Sequence, residues 1–269
     1  MQNSQKELPA GFQQFADKLF EEVVPVEGFL TPREMHFLML LAAVPTANGE
    51  ILEIGSFKGK STILLAKSAA LSDGAIINAV DPMTAPCETD PDLRGAESSL
   101  ADFTRNISDH NVSDRVKLHQ MLASQLAVTW DKQLRLLWID GDHTYLGTKS
   151  DFECFAPHLA DNGIVAFHDV LHAFEGGARV FCESVLLSPN FGACGFCGSI
   201  AWAHYHADPK KAEKHRDHKL KLYKRLSRVI PYIVLGQELK GWDKKKYKIF
   251  RSRVPRAAVD PQAWLDSIN

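Results

Sequence analysis

No stretch of this chain is apolar for the roughly 18 residues that a membrane-spanning helix needs. The longest candidate, Met35 to Val44, is interrupted by His36. An integral membrane protein is therefore not expected. The first ten residues, Met1 to Ala10, are polar and lack the basic start and apolar centre of a secretory signal, so the expected location is cytoplasmic. Cysteine is scarce and odd in number, five in 269 residues, which argues for free thiols over a disulfide framework. Internal repeats and low-complexity tracts are lacking as well. With 45% hydrophobic and 24% charged residues, 17 Gly and 13 Pro, the composition is globular and excludes disordered, collagen-like and coiled-coil classes.

A bland net charge of −2 conceals an asymmetry. Residues 1–204 carry 14 Lys+Arg against 26 Asp+Glu, whereas residues 205–269 carry 17 against 7. The two parts are best read separately.

In the first part, short β-rich runs alternate with segments of helical period. Candidate strands are Glu50–Gly55, Ala75–Asp81, Arg115–Gln120, Leu134–Asp140, Asn162–His168 and Gly198–His204. Most are continuous apolar runs, the pattern of strands buried on both faces, and this predicts a mostly parallel sheet with helices on each side. Helical patterns near 60–71, 97–110, 124–130, 146–158 and 177–187 supply the crossovers. The fold class is α/β, doubly wound. Two helical segments, near 12–24 and 31–43, precede the first strand, and Thr31-Pro32-Arg33-Glu34 is a strong helix start. The expected organisation is an N-terminal helical cap (1–48), a ligand-binding domain (49–206) and a basic helical appendage (207–269).

Ligands of open α/β sheets bind beyond the carboxyl ends of the strands. The first strand ends in Glu53-Ile54-Gly55-Ser56-Phe57-Lys58-Gly59-Lys60-Ser61, where Gly55 and Gly59 permit a tight turn against a ligand before a helix. The spacing is not Gly-x-Gly-x-x-Gly, which argues against a dinucleotide. The second strand delivers Asp81 where an adenosine ribose would offer its hydroxyls. Ser124-Gln125, after the third, could meet an adenine edge or cap the next helix. The fourth strand runs into Asp140-Gly141-Asp142-His143-Thr144-Tyr145 and the fifth into His168-Asp169. Asp140 and the His168-Asp169 pair thus lie on adjacent strand ends and can face one divalent metal.

These residues carry a family resemblance. Glu53-Ile-Gly-x-x-x-Gly-x-Ser, Val80-Asp81, Ile139-Asp140-Gly-Asp-His-x-Tyr and Gly163-x-x-x-x-His168-Asp169 together resemble the class I S-adenosylmethionine-dependent methyltransferases. More narrowly, they are similar to metal-dependent O-methyltransferases of the catechol and macrolide-sugar type. The resemblance covers about Gly28 to His206. It implies a Rossmann-like sheet of seven strands, with Glu53, Gly55 and Ser56 at the methionine part of the cofactor, Gly59 in the same cofactor-binding turn, Asp81 at the ribose and Ser124-Gln125 at the adenine. It also implies Asp140 at the edge of the cofactor site and, with Asp169, as a metal ligand. His168 stands where many relatives have a carboxylate, and His143 where they keep a general base. Magnesium or manganese is the expected ion, and an imidazole ligand at 168 would favour manganese, iron, zinc or nickel over magnesium.

The expected activity is methyl transfer from S-adenosylmethionine to a hydroxyl of a sugar, glycolipid or other small molecule. Two rivals stay open: a metal-dependent, oxygen-using enzyme on the same scaffold, and a non-catalytic binding protein that works through its basic tail. Lys210–Arg228 carries Leu220, Leu222, Tyr223, Leu226 and Val229 at helical spacing, which suits a peripheral anionic membrane surface or, alternatively, packing within the chain or in a homo-oligomer. Nucleic acid is not an expected partner. Cys194-Gly195-Phe196-Cys197 with His204 and His206 could be a zinc clip, but its glycines and the preceding Pro189-Asn190 favour a hairpin at the end of the sheet. His110, His119, His158 and His172 are read as surface or capping residues. Pro82–Ser98, with Pro86, Cys87, Pro91 and Gly95, is read as a substrate lid or a surface loop.

Overall fold

The computed structural model describes residues 6–84, 98–172, 174–233 and 239–269. Pro86, Cys87, Pro91 and Gly95, on which the lid reading rests, lie outside them. In chain order the elements are α1 (Phe12–Val23), α2 (Pro32–Ala43), β1 (Glu50–Ile54), α3 (Lys60–Ala69), β2 (Ile77–Val80), α4 (Leu100–Asp109), β3 (Val116–His119), α5 (Ala123–Ala127), β4 (Leu134–Ile139), α6 (Tyr145–Phe155), β5 (Leu159–Phe167), α7 (Gly176–Val180) with a π-helical continuation over Phe181–Leu186, β6 (Phe191–Cys197), β7 (Ile200–Tyr205), α8 (Pro209–Ala212), α9 (Arg216–Leu226), α10 (Ile230–Ile233), α11 (Gly241–Ser252) and α12 (Pro261–Ile268).

One seven-stranded sheet has the order β3-β2-β1-β4-β5-β7-β6. The first five strands are mutually parallel, and β7 runs antiparallel to both of its neighbours. The expected hairpin is the β6–β7 pair. Cys194 and Cys197 pack into the hydrophobic clusters on opposite faces of β6, so they do not form a metal clip. The strand order reverses between β1 and β4, which is where a doubly wound sheet opens its ligand crevice.

Alternation along the strands divides the core in two. Ile51, Leu136, Trp138, Ile164 and Ala166 pack with α1, α2, α3 and α4, while Leu52, Leu137, Ile139, Val165 and Phe167 pack with α5, α6, α7 and α9. Helix α2 begins as its sequence dictates: Pro32 occupies the first turn, and Thr31 N donates to Glu34 Oε2 at 2.8 Å.

The basic tail is built into both faces. Leu222, Leu226, Val229, Ile233 and Val254 join one cluster, and Trp264, Leu265 and Ile268 join the other, with Trp264 edge-on to Trp202 of β7. The apolar positions that suggested a membrane-facing helix are thus largely buried against the chain's own sheet, although Leu220 and, further on, Trp242 remain exposed. Even a lysine is recruited, since the buried Lys219 ammonium donates to the carbonyls of Ser188 and Phe191. Among the described residues no helix is long and apolar enough to cross a membrane. Leu226→Ala, which empties a fully buried position far from the crevice, is expected to lower stability by about 2–3 kcal/mol in chemical denaturation. An unchanged transition would show that the tail folds apart from the sheet.

Candidate functional site

A cavity of about 1190 Å³ opens at the carboxyl ends of β1, β2, β4 and β5, and it is large enough for two reactants. Its floor is the turn after β1. Gly55 (φ 84°) and Gly59 (φ 86°) are both left-handed, and a Cβ on Gly55 would overlap the Asp140 carbonyl and lie 2.7 Å from the Cα of Gly141. Bare backbone at this point is a packing requirement. Phe57 also has positive φ (46°), as do Met83 (54°) after β2 and Asp169 (54°) after β5.

Asp81 holds the turn in place. Its Oδ2 accepts from the main-chain N–H groups of Ser56 (2.8 Å) and Phe57 (2.9 Å), and Oδ1 accepts from Met83 N at 2.7 Å. Glu53 sits behind the turn and does not line the cavity. It accepts from the hydroxyls of Ser56 (3.0 Å) and Thr62, while its Oε1 is buried without a partner. Burial pushes its carboxyl up to about 7; hydroxyl donors from Ser61, Thr62 and Ser56 offset part of that, and the charge of Asp140 adds to it. The folded chain therefore holds this proton more tightly than the unfolded chain does. Its contribution to stability is full below the ordinary glutamate range, falls as pH rises from about 4.5 to about 7, and then levels off. Glu53→Gln removes that decline, so the variant should gain on the wild type by roughly 3 kcal/mol between pH 5 and pH 8 in urea titrations. Parallel pH profiles would mean that Glu53 folds as a carboxylate.

Strands β4 and β5 bring the polar cluster together. Ile139 pairs with Phe167, so Asp140 and His168 leave the sheet side by side. Ligand atoms of Asp140, His143 and Asp169 all lie within 4.8 Å of one another, and His143 Nε2 is 3.8 Å from Asp169 Oδ2. The ring of His143 stacks on Phe174 at 4.7 Å.

His168, expected beside Asp140 and Asp169, lies outside that trio. It is almost completely buried; its Nδ1 lies 2.9 Å from Asp140 Oδ1 and 3.7 Å from Asp169 Oδ1, and its Nε2 lies 3.9 Å from Glu34 Oε2. Burial opposes its charge, but Asp140, then Glu34 and Asp169, overcome this and raise its pKa well above the ordinary histidine value. A charged ring at this position would donate to Asp140 and brace its carboxylate. Glu34 is the residue that sequence reading missed as part of this arrangement. Its Oε1 accepts from Ser199 N and Ser199 Oγ, and hydrogen bonds outweigh burial to hold its pKa far below the usual carboxylate range. A glutamate three residues into a helix signals a capping box, and nothing in that pattern reveals a second partner 165 residues away.

Of the other expected residues, Gly55, Ser56 and Asp81 line the cavity, whereas Gly59, Ser124 and Gln125 do not. Gly59 instead starts α3 against Phe103 and Ile107. Ser124 and Gln125 are exposed, and Gln125 Oε1 accepts from Leu122 N at 3.0 Å, capping α5; Leu122 and Ala123 are the residues of this segment that reach the cavity.

Comparisons with known proteins agree with this architecture. The family model described as "Methyltransferase domain" matches residues 52–170, the stretch from β1 to just beyond β5. Among solved structures, the chain is similar to an O-methyltransferase from Bacillus cereus in complex with SAH, with 21% identity and a TM-score of 0.51 over 72% of this chain and 97% of that one. It is also similar to the O-methyltransferase TomG from Streptomyces achromogenes, involved in tomaymycin synthesis and solved with SAM, with 16% identity and a TM-score of 0.52 over 75% of this chain and 92% of that one. At these identities the likeness establishes the fold.

Proposed function

We propose that this chain, whose residues 52–170 match a family model described as "Methyltransferase domain", is an S-adenosylmethionine-dependent O-methyltransferase assisted by a divalent metal. One observation carries the reading. The glycine turn and the Asp140–His143–Asp169 cluster share a wall of the same cavity, because Gly55 packs directly on the main chain of Asp140 and Gly141.

The cavity suits both groups. Gly55 offers open backbone, Ser56 a hydroxyl, and Asp81 Oδ1, with a single N–H donor, keeps a free acceptor position for a ribose hydroxyl. Two carboxylates and one imidazole make a donor set for manganese or a similar divalent ion as well as for magnesium. S-adenosylmethionine supplies a methyl group on a sulfonium, open to in-line displacement by oxygen. A divalent ion on Asp140, His143 and Asp169 would lower the pKa of an acceptor hydroxyl.

The remaining work falls to the chain. Asp81 fixes the turn, and Gly55 sets its distance from β4. His168 and Glu34 hold Asp140 in orientation without entering the ligand set. Alignment of this kind can account for roughly 7–11 kcal/mol of a bimolecular barrier. The test is transfer of labelled methyl to a panel of hydroxylated sugars, phenols and glycolipids with magnesium, manganese, iron or zinc, alongside calorimetry with S-adenosylhomocysteine. Cofactor binding without transfer to any hydroxyl under any metal would overturn the O-methyl reading.

A further inference from the structure

The wall of the cavity contributed by the tail carries charge that the methyl-transfer chemistry does not use. Arg251 and Arg256, from the end of α11 and the segment after it, line the cavity together with Arg33 from the first turn of α2. Arg33 Nη1 donates to the main-chain carbonyl of Arg256 at 3.4 Å, and that carbonyl also accepts from Gly198 N at 3.1 Å. The segment is further anchored by the buried side chain of Val254 and by Tyr247, whose hydroxyl donates to Leu171 O at 2.9 Å. The main chain that carries Arg251 and Arg256 is therefore anchored to the sheet and to Arg33.

Among the described residues none of the three has an ion-pair partner. Arg105, Arg135, Arg179 and Arg216 each have a carboxylate within 3.8 Å, and the other described arginines that lack one, Arg115, Arg225, Arg228 and Arg253, do not line the cavity. Nε of Arg251 is buried without any hydrogen-bond partner. The carboxylate that acts on Arg256, Glu34, already accepts from Thr31 and Ser199. Burial and then the charges of Arg251 and Arg33 lower the pKa of Arg256 and outweigh the opposing charge of Glu34, as expected where guanidinium groups lie near one another.

We propose that Arg33, Arg251 and Arg256 form an oxyanion subsite of the cavity, so that the acceptor hydroxyl belongs to a molecule that also carries a phosphate or carboxylate group. Guanidinium forks match both anions bidentately, and the cavity is wide enough to hold such a group beside the cofactor. The word acceptor rests on the methyltransferase reading; the anion subsite itself does not. On this view the basic tail is part of the substrate pocket, and its positive charge selects for the substrate.

The test is calorimetry on the full-length protein with inorganic phosphate and with malonate at ionic strength matched by chloride. Wild type, Arg33→Gln, Arg251→Gln and Arg256→Gln are compared, and S-adenosylhomocysteine is titrated into each as a control. Wild-type binding that weakens about 10-fold or more in each variant, with cofactor affinity and melting temperature retained, is the expected result. Tighter binding of phosphate would point to a phosphorylated acceptor, and of malonate to a carboxylated one. The labelled-methyl assay should then favour 3,4-dihydroxybenzoate or a sugar phosphate over catechol or the free sugar, and that preference should vanish in the variants. Anion binding that is absent, or equal in wild type and variants, while the cofactor still binds would overturn the subsite and leave the methyltransferase reading standing. Arginine-dependent anion binding without cofactor binding would do the reverse.

Discussion

Asp140→Asn and Asp169→Asn are each expected to abolish most methyl transfer, by at least about 10³-fold, while leaving the sheet folded. Both carboxylates contribute candidate ligand atoms to one compact cluster, so on the proposed reading neutralising either leaves the other two donors unable to hold a divalent ion firmly. A metal that lowers the pKa of a hydroxyl is worth several kcal/mol, which sets the scale of the loss. His143→Ala should fall in the same class, with a drop of about 10²–10⁴. Titration of manganese into each variant separates the roles. Affinity lost together with turnover identifies a ligand; retained manganese affinity with turnover lost would return His143 to the role of proton acceptor. Full activity of the wild type in excess chelator would remove the metal from the account.

Gly55→Val should be the most damaging single change in the turn after β1. The new Cβ would meet the main chain of Asp140 and Gly141, and neither strand end can give way without separating β1 from β4. Valine must also adopt a left-handed φ of 84°, which costs a residue with a side chain about 1–2 kcal/mol even without a clash. Overlap with backbone adds about 1–3 kcal/mol more, for a total loss of about 2–5 kcal/mol. Cofactor affinity should fall beyond detection in calorimetry, since the turn and the Asp140 wall move together. Near-wild-type affinity would mean that the cofactor does not approach this backbone.

Much of the site could be read directly from the chain. Apolar runs that stop at Asp81, Asp140 and His168-Asp169 mark strand ends, and in a parallel sheet those ends must gather on one edge. What the runs could not tell is where each side chain turns once it leaves the sheet. Asp140 and His168 leave side by side, close enough to bind each other, whereas the ligand atoms that gather within 4.8 Å are those of Asp140, His143 and Asp169. His143 lies on a loop four residues beyond the end of its strand, beyond the reach of strand alternation. Ser124 and Gln125 illustrate a different ambiguity, because a residue that can meet an adenine edge is equally suited to cap a helix, and Gln125 caps. The tail was the hardest part. Its lysines and arginines dominate any count of charge, while the residues that decide its place, Val254, Trp264, Leu265 and Ile268, are few and widely spaced.

The left-handed residues around the cavity also bear on how this protein could be adapted to heat. Phe57 and Asp169 line the cavity, Met83 follows Asp81, and each holds a conformation that costs of order 1–3 kcal/mol. Laboratory evolution for thermal endurance would find ready gains there, since glycine or asparagine relaxes such a backbone at once. Those same gains would slacken the turn that Asp81 clamps and the loop that presents Asp169. Heat-adapted descendants selected on folding alone should therefore accumulate changes at these positions and lose turnover. Lineages selected on turnover should leave them untouched and gain their stability in the helices packed on the far edge of the sheet.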